Sequence, residues 1–459
     1  MKTTNNRDLE ALENKLDSFN PEVRMDSLCS LSQMADEGLI PLPAQREIAN
    51  LHSHTFFSYN GYGFSPTHIA WLGRKLGAKF MGIVDFDILD GVDEFLEACQ
   101  IVNVCGSAGM ETRVFVSEFA DQEINSPGEP GVSYHMGIGF TQSQAPDGAS
   151  DLLDNIRDQS QMRNREMLDR INQYLDPLKI NYDRDILPET PQNNATERHM
   201  LDAIIEQSIS QIQDPVDFWS RKLEMPPSEI KHRVESNYAF NSLVRKKLMK
   251  RGGVGYIQPT PESFPLIDEI HEVITSCGAI PCIAWLDGTS EVEKDIGDLM
   301  ELMIEKGAGA INIIPDRNWN IQDKENKSER LSNLYRVVDA AKDHNLPVHV
   351  GTEMNSNGQK LIDDFDVPEL EPVRDDFIEG AYFIYGHTCM QRYWKMGWQS
   401  SWSNRHFTDR KTKSDFFHEI GHIMQPCKPE KHILQNINQE MKPEEVITYL
   451  KQEQGDKPL

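Results

Sequence analysis

The sequence predicts an α/β protein built on a mainly parallel sheet or a barrel. Three observations carry that expectation. Short apolar runs alternate with helical patterns over residues 45–140 and again over 264–351, which is the signature of repeated βα units. Several of those runs end on histidine or carboxylate side chains, and active sites of such sheets gather at the carboxyl ends of strands. Between the two stretches, residues 150–250 are polar, helix-rich and free of strand-like runs, as a helical insertion would be.

The elements follow in order. Leu9, Leu12 and Leu16, then Val23, Met25, Leu28, Leu31 and Met34, recur at helical spacing and predict two short helices broken at Asn20-Pro21. Residues 48–52 predict a strand, 67–76 a helix capped by Ser65-Pro66, and 80–85 an apolar strand ending on a carboxylate. A helix over 91–104 and strands over 113–116 and 134–140 complete the first stretch. The second stretch predicts helices over 264–276, 291–306 and 327–344, and strands over 280–285, 310–314 and 348–351. Residues 356–459 read as a helical tail, clearest at 375–385 and 443–454.

Bulk properties narrow the function. A hydrophobic fraction of 38% and a charged fraction of 26% are those of an ordinary globular protein. The formal net charge of −27 argues against holding a long nucleic-acid duplex, which draws on a basic face. A small anionic substrate stays open, because a few arginines and metal ions can meet it locally. Seven cysteines, at 29, 99, 105, 277, 282, 389 and 427, contain no Cys-x-x-Cys pair and read as free thiols of a reducing compartment. The stretch from Met1 to Asp8 is not apolar, and no run reaches the roughly 18 residues of a membrane span. A cytoplasmic protein is expected, with its oligomeric state undetermined.

The strand ends supply the chemistry. His52-Ser53-His54-Thr55 places two imidazoles two residues apart, so they share one face of an extended chain and can chelate one cation. Asp85, Asp87, Glu111, His135, Asp287, Glu353 and Asn355 end or follow the other strands. Crowding so many such groups is costly unless a cation pairs with them, although Asp85 and Asp287 could equally cap the next helix. Arg198 and Arg317 are candidates for gripping an anionic oxygen, with a surface salt bridge the preferred reading of Arg317. The lone His387 reads as structural, and the turn-rich loop over 125–131 either covers the pocket or forms a rigid connection.

These pieces, in order and spacing, resemble the polymerase and histidinol phosphatase (PHP) domain. The resemblance rests on Leu51-His52-Ser53-His54-Thr55, Gly82-Ile83-Val84-Asp85-Phe86-Asp87, Gly109-Met110-Glu111 and His135-Met136-Gly137-Ile138-Gly139-Phe140. Thr196-Glu197-Arg198-His199, residues 247–256 and 278–287, and Gly351-Thr352-Glu353-Met354-Asn355 resemble the bacterial branch that hydrolyses nucleotide phosphates and short oligonucleotides. It covers residues 48–356 and implies a distorted (βα)7 TIM-like barrel formed by 45–149 and 251–356. Residues 150–250 would be its helical insertion, with helical extensions at 1–44 and 357–459. By the same resemblance His52 and His54 match a first metal pair, Glu111 a bridging carboxylate, His135 a ligand of a second metal, and His199 a histidine near the substrate.

The chain departs from that pattern at several positions. Tyr59-Asn60 stands where the family has an aspartate, Asp85-Phe86-Asp87 replaces Asp-His-Asp, Ala284-Trp285-Leu286 replaces Ala-His-Pro, and Glu353-Met354-Asn355 replaces Asp-Ala-His. One site can still be assembled from His52, His54, Glu111 and Glu353. A second would have Glu111 and His135 and must recruit a further ligand, with Asp287 the first candidate; Asp85 is a further candidate metal ligand. The expected cofactor is one or two divalent ions of zinc, manganese or iron.

The function this implies is a metal-dependent phosphoesterase acting on a small phosphorylated or nucleotide-like substrate. Arg198 would hold substrate oxygens, and His199 or Asp87 would handle protons. Two other readings stay open. A binding or scaffold protein without turnover is motivated by Phe86, Trp285 and Asn355, and a hydrolase of C–N bonds by the fact that the barrel does not fix the scissile bond.

Overall fold

Seven strands follow one another around a single sheet in chain order. They are β1 Arg46–Asn50, β2 Ala78–Phe86, β3 Cys105–Phe115, β4 Val132–Phe140, β5 Ile280–Trp285, β6 Ala310–Ile313 and β7 Val348–Val350. The computed structural model describes residues 6–234, 237–260 and 263–454; residues 1–5 of the N-terminal stretch read above lie outside these. Neighbouring strands are parallel except around β4, which is antiparallel to both β3 and β5. Beyond the ends of β1 and β7 the two chains meet: the Leu51 N–H donates to Val350 O at 2.8 Å, and the Thr352 and Glu353 N–H groups donate to His52 O. The sheet is therefore a nearly closed α/β barrel, the distorted seven-stranded form expected.

Helices Pro66–Leu76, Val92–Ile101, Ile296–Glu305 and Lys324–Asp343 are the crossovers that parallel pairing requires. The first shows how local sequence sets an element. Ser65 Oγ accepts the His68 N–H at 3.0 Å, Pro66 fills the first turn, and Gly77 stops the helix at φ +71°. Only a short turn at Ser117–Phe119 precedes β4, so no crossover carries the chain back and β4 returns antiparallel.

Two strand boundaries differ from expectation. The third strand starts at Cys105, eight residues before the apolar run at 113–116, because Cys105-Gly106-Ser107-Ala108-Gly109 carries no bulky side chain to announce it. Small residues are needed there: a Cβ at Gly106 would lie 2.9 Å from the Cys99 side chain of the covering helix. Glu111 consequently sits inside β3. At the other boundary β1 ends at Asn50, so His52 and His54 lie on the extended chain beyond it.

Helix Asp147–Leu175 links two cores. Ala149, Leu153 and Ile156 at its start pack into the barrel core, while Met167, Leu168, Ile171 and Leu175 join a second core with Ile204, Trp219 and Phe240 from the helices between 197 and 248. At the barrel's other flank, helix Pro21–Asp36 is pinned by Arg24, whose Nε donates to Glu94 at 2.8 Å, both side chains being largely buried. Cutting one partner of such a pair costs about 3–5 kcal/mol. No helix among the described residues is long and apolar enough to cross a membrane.

The loop after β7 contains a buried acid whose charge is poorly met. Asp363 Oδ1 accepts from Trp319 Nε1 at 3.0 Å and from the Asp364 N–H at 2.7 Å, whereas Oδ2 has no hydrogen-bond partner. Burial pushes its pKa up to about 6. A raised carboxyl pKa contributes stability that is complete below the unfolded value and is lost as pH rises through the folded one. Asp363→Asn should therefore match the wild type near pH 4 and gain on it from pH 5 to 8, by about 2 kcal/mol at the upper end. Urea unfolding at the two pH values measures this; an equal difference at both would contradict it.

Candidate metal centre

The chain beyond β1 is held on both sides. The Val84 N–H donates to Ser53 O at 2.9 Å and the His54 N–H to Glu353 O at 2.7 Å. This close approach needs a glycine in β7's exit, because a Cβ at Gly351 would lie 2.4 Å from His52 N. The extended segment turns both imidazoles to one side, with ring centroids 5.3 Å apart. Glu111 reaches them from β3: its Oε2 lies 3.6 Å from His52 Nε2 and 3.3 Å from His54 Nε2. All three side chains are buried, and neither Nε2 has a hydrogen-bond partner.

Both ring orientations are fixed from behind. The Nδ1 of His52 lies 3.2 Å from Asn312 Oδ1, an acceptor, so Nδ1 carries the proton and Nε2 keeps its lone pair. Asn312 in β6 also accepts from Nδ1 of His349 in β7, at 3.0 Å. For His54 the logic runs through two groups. Ser58 Oγ spends its hydrogen on Asp85 Oδ1 at 2.6 Å, so it faces His54 Nδ1, 3.2 Å away, as an acceptor. Asp85 is anchored further by the Thr55 N–H and Oγ1, each at 2.7 Å.

Two buried lone pairs thus converge beside a carboxylate, an arrangement that a proton or a cation must complete. Burial raises the Glu111 pKa, but when the rings carry the completing proton, hydrogen bonds and charge from His52 and His54 outweigh it and hold the group at about 2, so it stays ionised. The same neighbour raises His52 against its own burial. Two imidazole nitrogens and one carboxylate oxygen, all within 4.8 Å of one another, form a donor set suited to zinc, manganese or iron. Phe86 stacks on His54 at 4.6 Å, covering the ring face where the resembled family has a further histidine.

The remaining sequence candidates are not brought into this cluster. His135 pairs with Thr112 across the antiparallel β3–β4 ladder, so alternation points it away from the face of Glu111; its Nε2 meets His271 Nε2 at 2.8 Å in the outer helix layer. Asp85 supports the site through Ser58, with both oxygens engaged by Thr55 and Ser58, and is not part of the cluster. Asp287 accepts from Thr289 in a local turn and pairs with Arg330 at 2.9 Å; the next helix starts at Ile296, so Asp287 does not cap it. Glu353 is gripped by Arg317 at 2.7 Å and receives Asn355 Nδ2 at 3.3 Å. Its backbone, with Met354, is in the left-handed region, at φ +64° and +55°.

Around this centre, Asp87 accepts from Thr112 Oγ1 at 2.6 Å and is raised by burial. His199 caps the helix Glu197–Gln211: its Nδ1 accepts the Thr196 N–H at 3.1 Å, which leaves the proton on Nε2, and burial holds the ring neutral with a pKa of about 4. Its ring packs edge-on to Tyr59 at 5.0 Å. Arg198, beside it, has no ion pair or side-chain hydrogen bond among the described residues. His387 is structural, its two ring nitrogens meeting Gly139 O at 3.2 Å and the Trp398 N–H at 2.9 Å. The loop over 125–131 is a rigid connection, with Asn125 bonded to both Ala284 O and the Tyr134 N–H at 2.7 Å.

Sequence reasoning did not single out Ser58, Asn312 or His349. A polar residue inside the apolar run Ile311-Asn312-Ile313-Ile314 was the available signal for Asn312. No protein-family profile matches the chain, and no curated protein sequence matches it. Similar solved structures include an amidohydrolase from Chromobacterium violaceum with bound sulfate and no metal, at 14% identity and TM-score 0.49. Another is a protein provisionally named as a metal-dependent phosphoesterase from Bifidobacterium adolescentis, at 19% identity and TM-score 0.48. Each alignment covers 72% of this chain and 96% of the other.

If the groups behind the rings set their orientation, Asn312→Ala and Ser58→Ala should each weaken metal binding roughly 10–100-fold without removing a ligand. His135→Gln and Asp287→Asn should leave it unchanged. Competition against a metal-binding dye reads all four, and equal effects across the set would contradict the assignment.

Proposed function

We propose that the protein is a metal-dependent hydrolase of phosphate esters with a small, anionic substrate. The convergence of the unpartnered His52 and His54 Nε2 atoms on Glu111 carries this reading, since a cation would pair with all three groups at once. A divalent cation held by these three residues would acidify a water molecule and neutralise charge on a phosphoryl group.

The chain's own residues supply the rest. Arg198 and Arg163 are partly buried cations without a carboxylate partner among the described residues, although the protein carries a net charge of −27. Burial and a neighbouring arginine lower the pKa of each, Arg163 to about 10. Such groups are suited to bind the non-bridging oxygens of a phosphate. Arg113, two residues from Glu111 on the same face of β3, extends this positive edge and is already matched by Glu129 at 3.0 Å. Asp87, raised by burial, is bonded to Thr112, on the face of β3 opposite Glu111, and is not assigned the proton-handling part read for it in the sequence. His199, the other residue read in the sequence as handling protons, presents an Nε2–H and so is a hydrogen-bond donor. Phe86 keeps bulk water from His54. Free thiols at all seven cysteines are in keeping with a cytoplasmic setting.

The test uses chelated protein reloaded with zinc, manganese or iron and assayed on a nitrophenyl phosphate ester and on a nitroanilide. Metal-dependent phosphoester hydrolysis is expected, lost in His52→Ala/His54→Ala. Arg198→Ala should raise KM about tenfold, the scale of one charge-assisted hydrogen bond. Phosphoester turnover untouched by the double substitution would overturn the reading. Cleavage of the anilide alone would transfer it to C–N bonds, and metal binding without turnover of either would favour a binding protein.

A further inference from the structure

We propose a second transition-metal site, formed by Glu379, His418 and His422 on the C-terminal helices and independent of the centre described above. His418 and His422 stand four residues apart on helix Arg410–Ile423, so their rings project from one face. Glu379 faces them from helix Arg374–Trp394. One ligand atom from each of the three lies within 4.8 Å of the other two.

The helix crossing makes this rigid. A Cβ at Gly386 would lie 1.9 Å from Phe417 O, and one at Gly421 would lie 2.0 Å from Tyr382 O, so two glycines let the backbones touch. The first helix is itself seated on the barrel, with Gly380 against the Val348 carbonyl. Tyr382, one turn from Glu379, stacks on His422 at 3.5 Å and donates from its hydroxyl to Glu47 beside the start of β1. The group therefore sits at the entry end of the barrel, away from His52 and His54 at the exit end.

The polar contacts call for a cation. His418 Nε2 meets both Glu379 Oε2 and, at 3.1 Å, His422 Nε2. A neutral ring nitrogen has one hydrogen or one lone pair, so without a cation a single His418 Nε2–H must be shared between the Glu379 carboxylate and the His422 nitrogen. A divalent ion would instead take one lone pair from each of the three groups. Two imidazoles and one carboxylate select zinc, nickel or copper over magnesium or calcium, and the ion would tie the two C-terminal helices together over the barrel's entry end.

The test is a zinc titration of the full, tag-free chain after chelation. In the His52→Ala/His54→Ala background one equivalent should bind and raise Tm, and adding His418→Ala/His422→Ala should abolish both effects. In the wild type, the same second pair of substitutions should lower cobalt or zinc stoichiometry by one while sparing metal-dependent phosphoester hydrolysis, which keeps the result readable if the quadruple variant does not fold. Stoichiometry and Tm indifferent to His418 and His422 in both backgrounds would overturn the proposal, whatever the outcome at His52 and His54.

Discussion

The structure's chemistry depends on the enforced convergence of two imidazole lone pairs on one carboxylate inside a barrel. Left to themselves His52 and His54 would rotate or hydrate. Neither is available, because both rings are buried and each Nδ1 proton is engaged from behind, by Asn312 and by the Ser58–Asp85 pair. The supporting groups come from β6, β2 and the loop after β1, so the site is assembled only when the barrel closes. Closure in turn rests on backbone hydrogen bonds between the exits of β1 and β7, where Glu353 and Met354 adopt left-handed backbone. Such conformations cost about 1–3 kcal/mol each, and here they let one loop serve both neighbours of the His52 strand.

The register of β4 decides which of its polar residues share a face with Glu111. Antiparallel pairing with β3 sets His135 opposite Thr112 and turns it outward to His271, while Glu111 remains inside. Of the two aromatics at strand ends, Phe86 covers His54 and Trp285 is buried in the barrel core. His52, His54 and Glu111 form a compact candidate centre.

Much of the fold was legible because its signals are local. The Ser65-Pro66 cap, the apolar runs of β2, β5 and β6, and the helical period at the N-terminus each act within one element, and the structure has them. The start of β3 was not legible, since Cys105-Gly106-Ser107-Ala108-Gly109 is a strand only because a helix packs closely over it. At the site, the His52-x-His54 spacing was enough to pair those rings, and Glu111 joined them. His135, Asp287 and Glu353 looked equally chemical in sequence. Their fates were set by strand register and by the ion pairs with Arg330 and Arg317, all of which are tertiary facts. Asn312 was hidden for the opposite reason: its role depends on a ring brought from more than two hundred residues away.

The most direct test of the central claim is anomalous diffraction at the zinc edge from crystals of the zinc-loaded protein. The account predicts a peak about 2.0–2.2 Å from the Nε2 atoms of both His52 and His54 and from an oxygen of Glu111. No peak between those three side chains, in protein exposed to zinc, would contradict it.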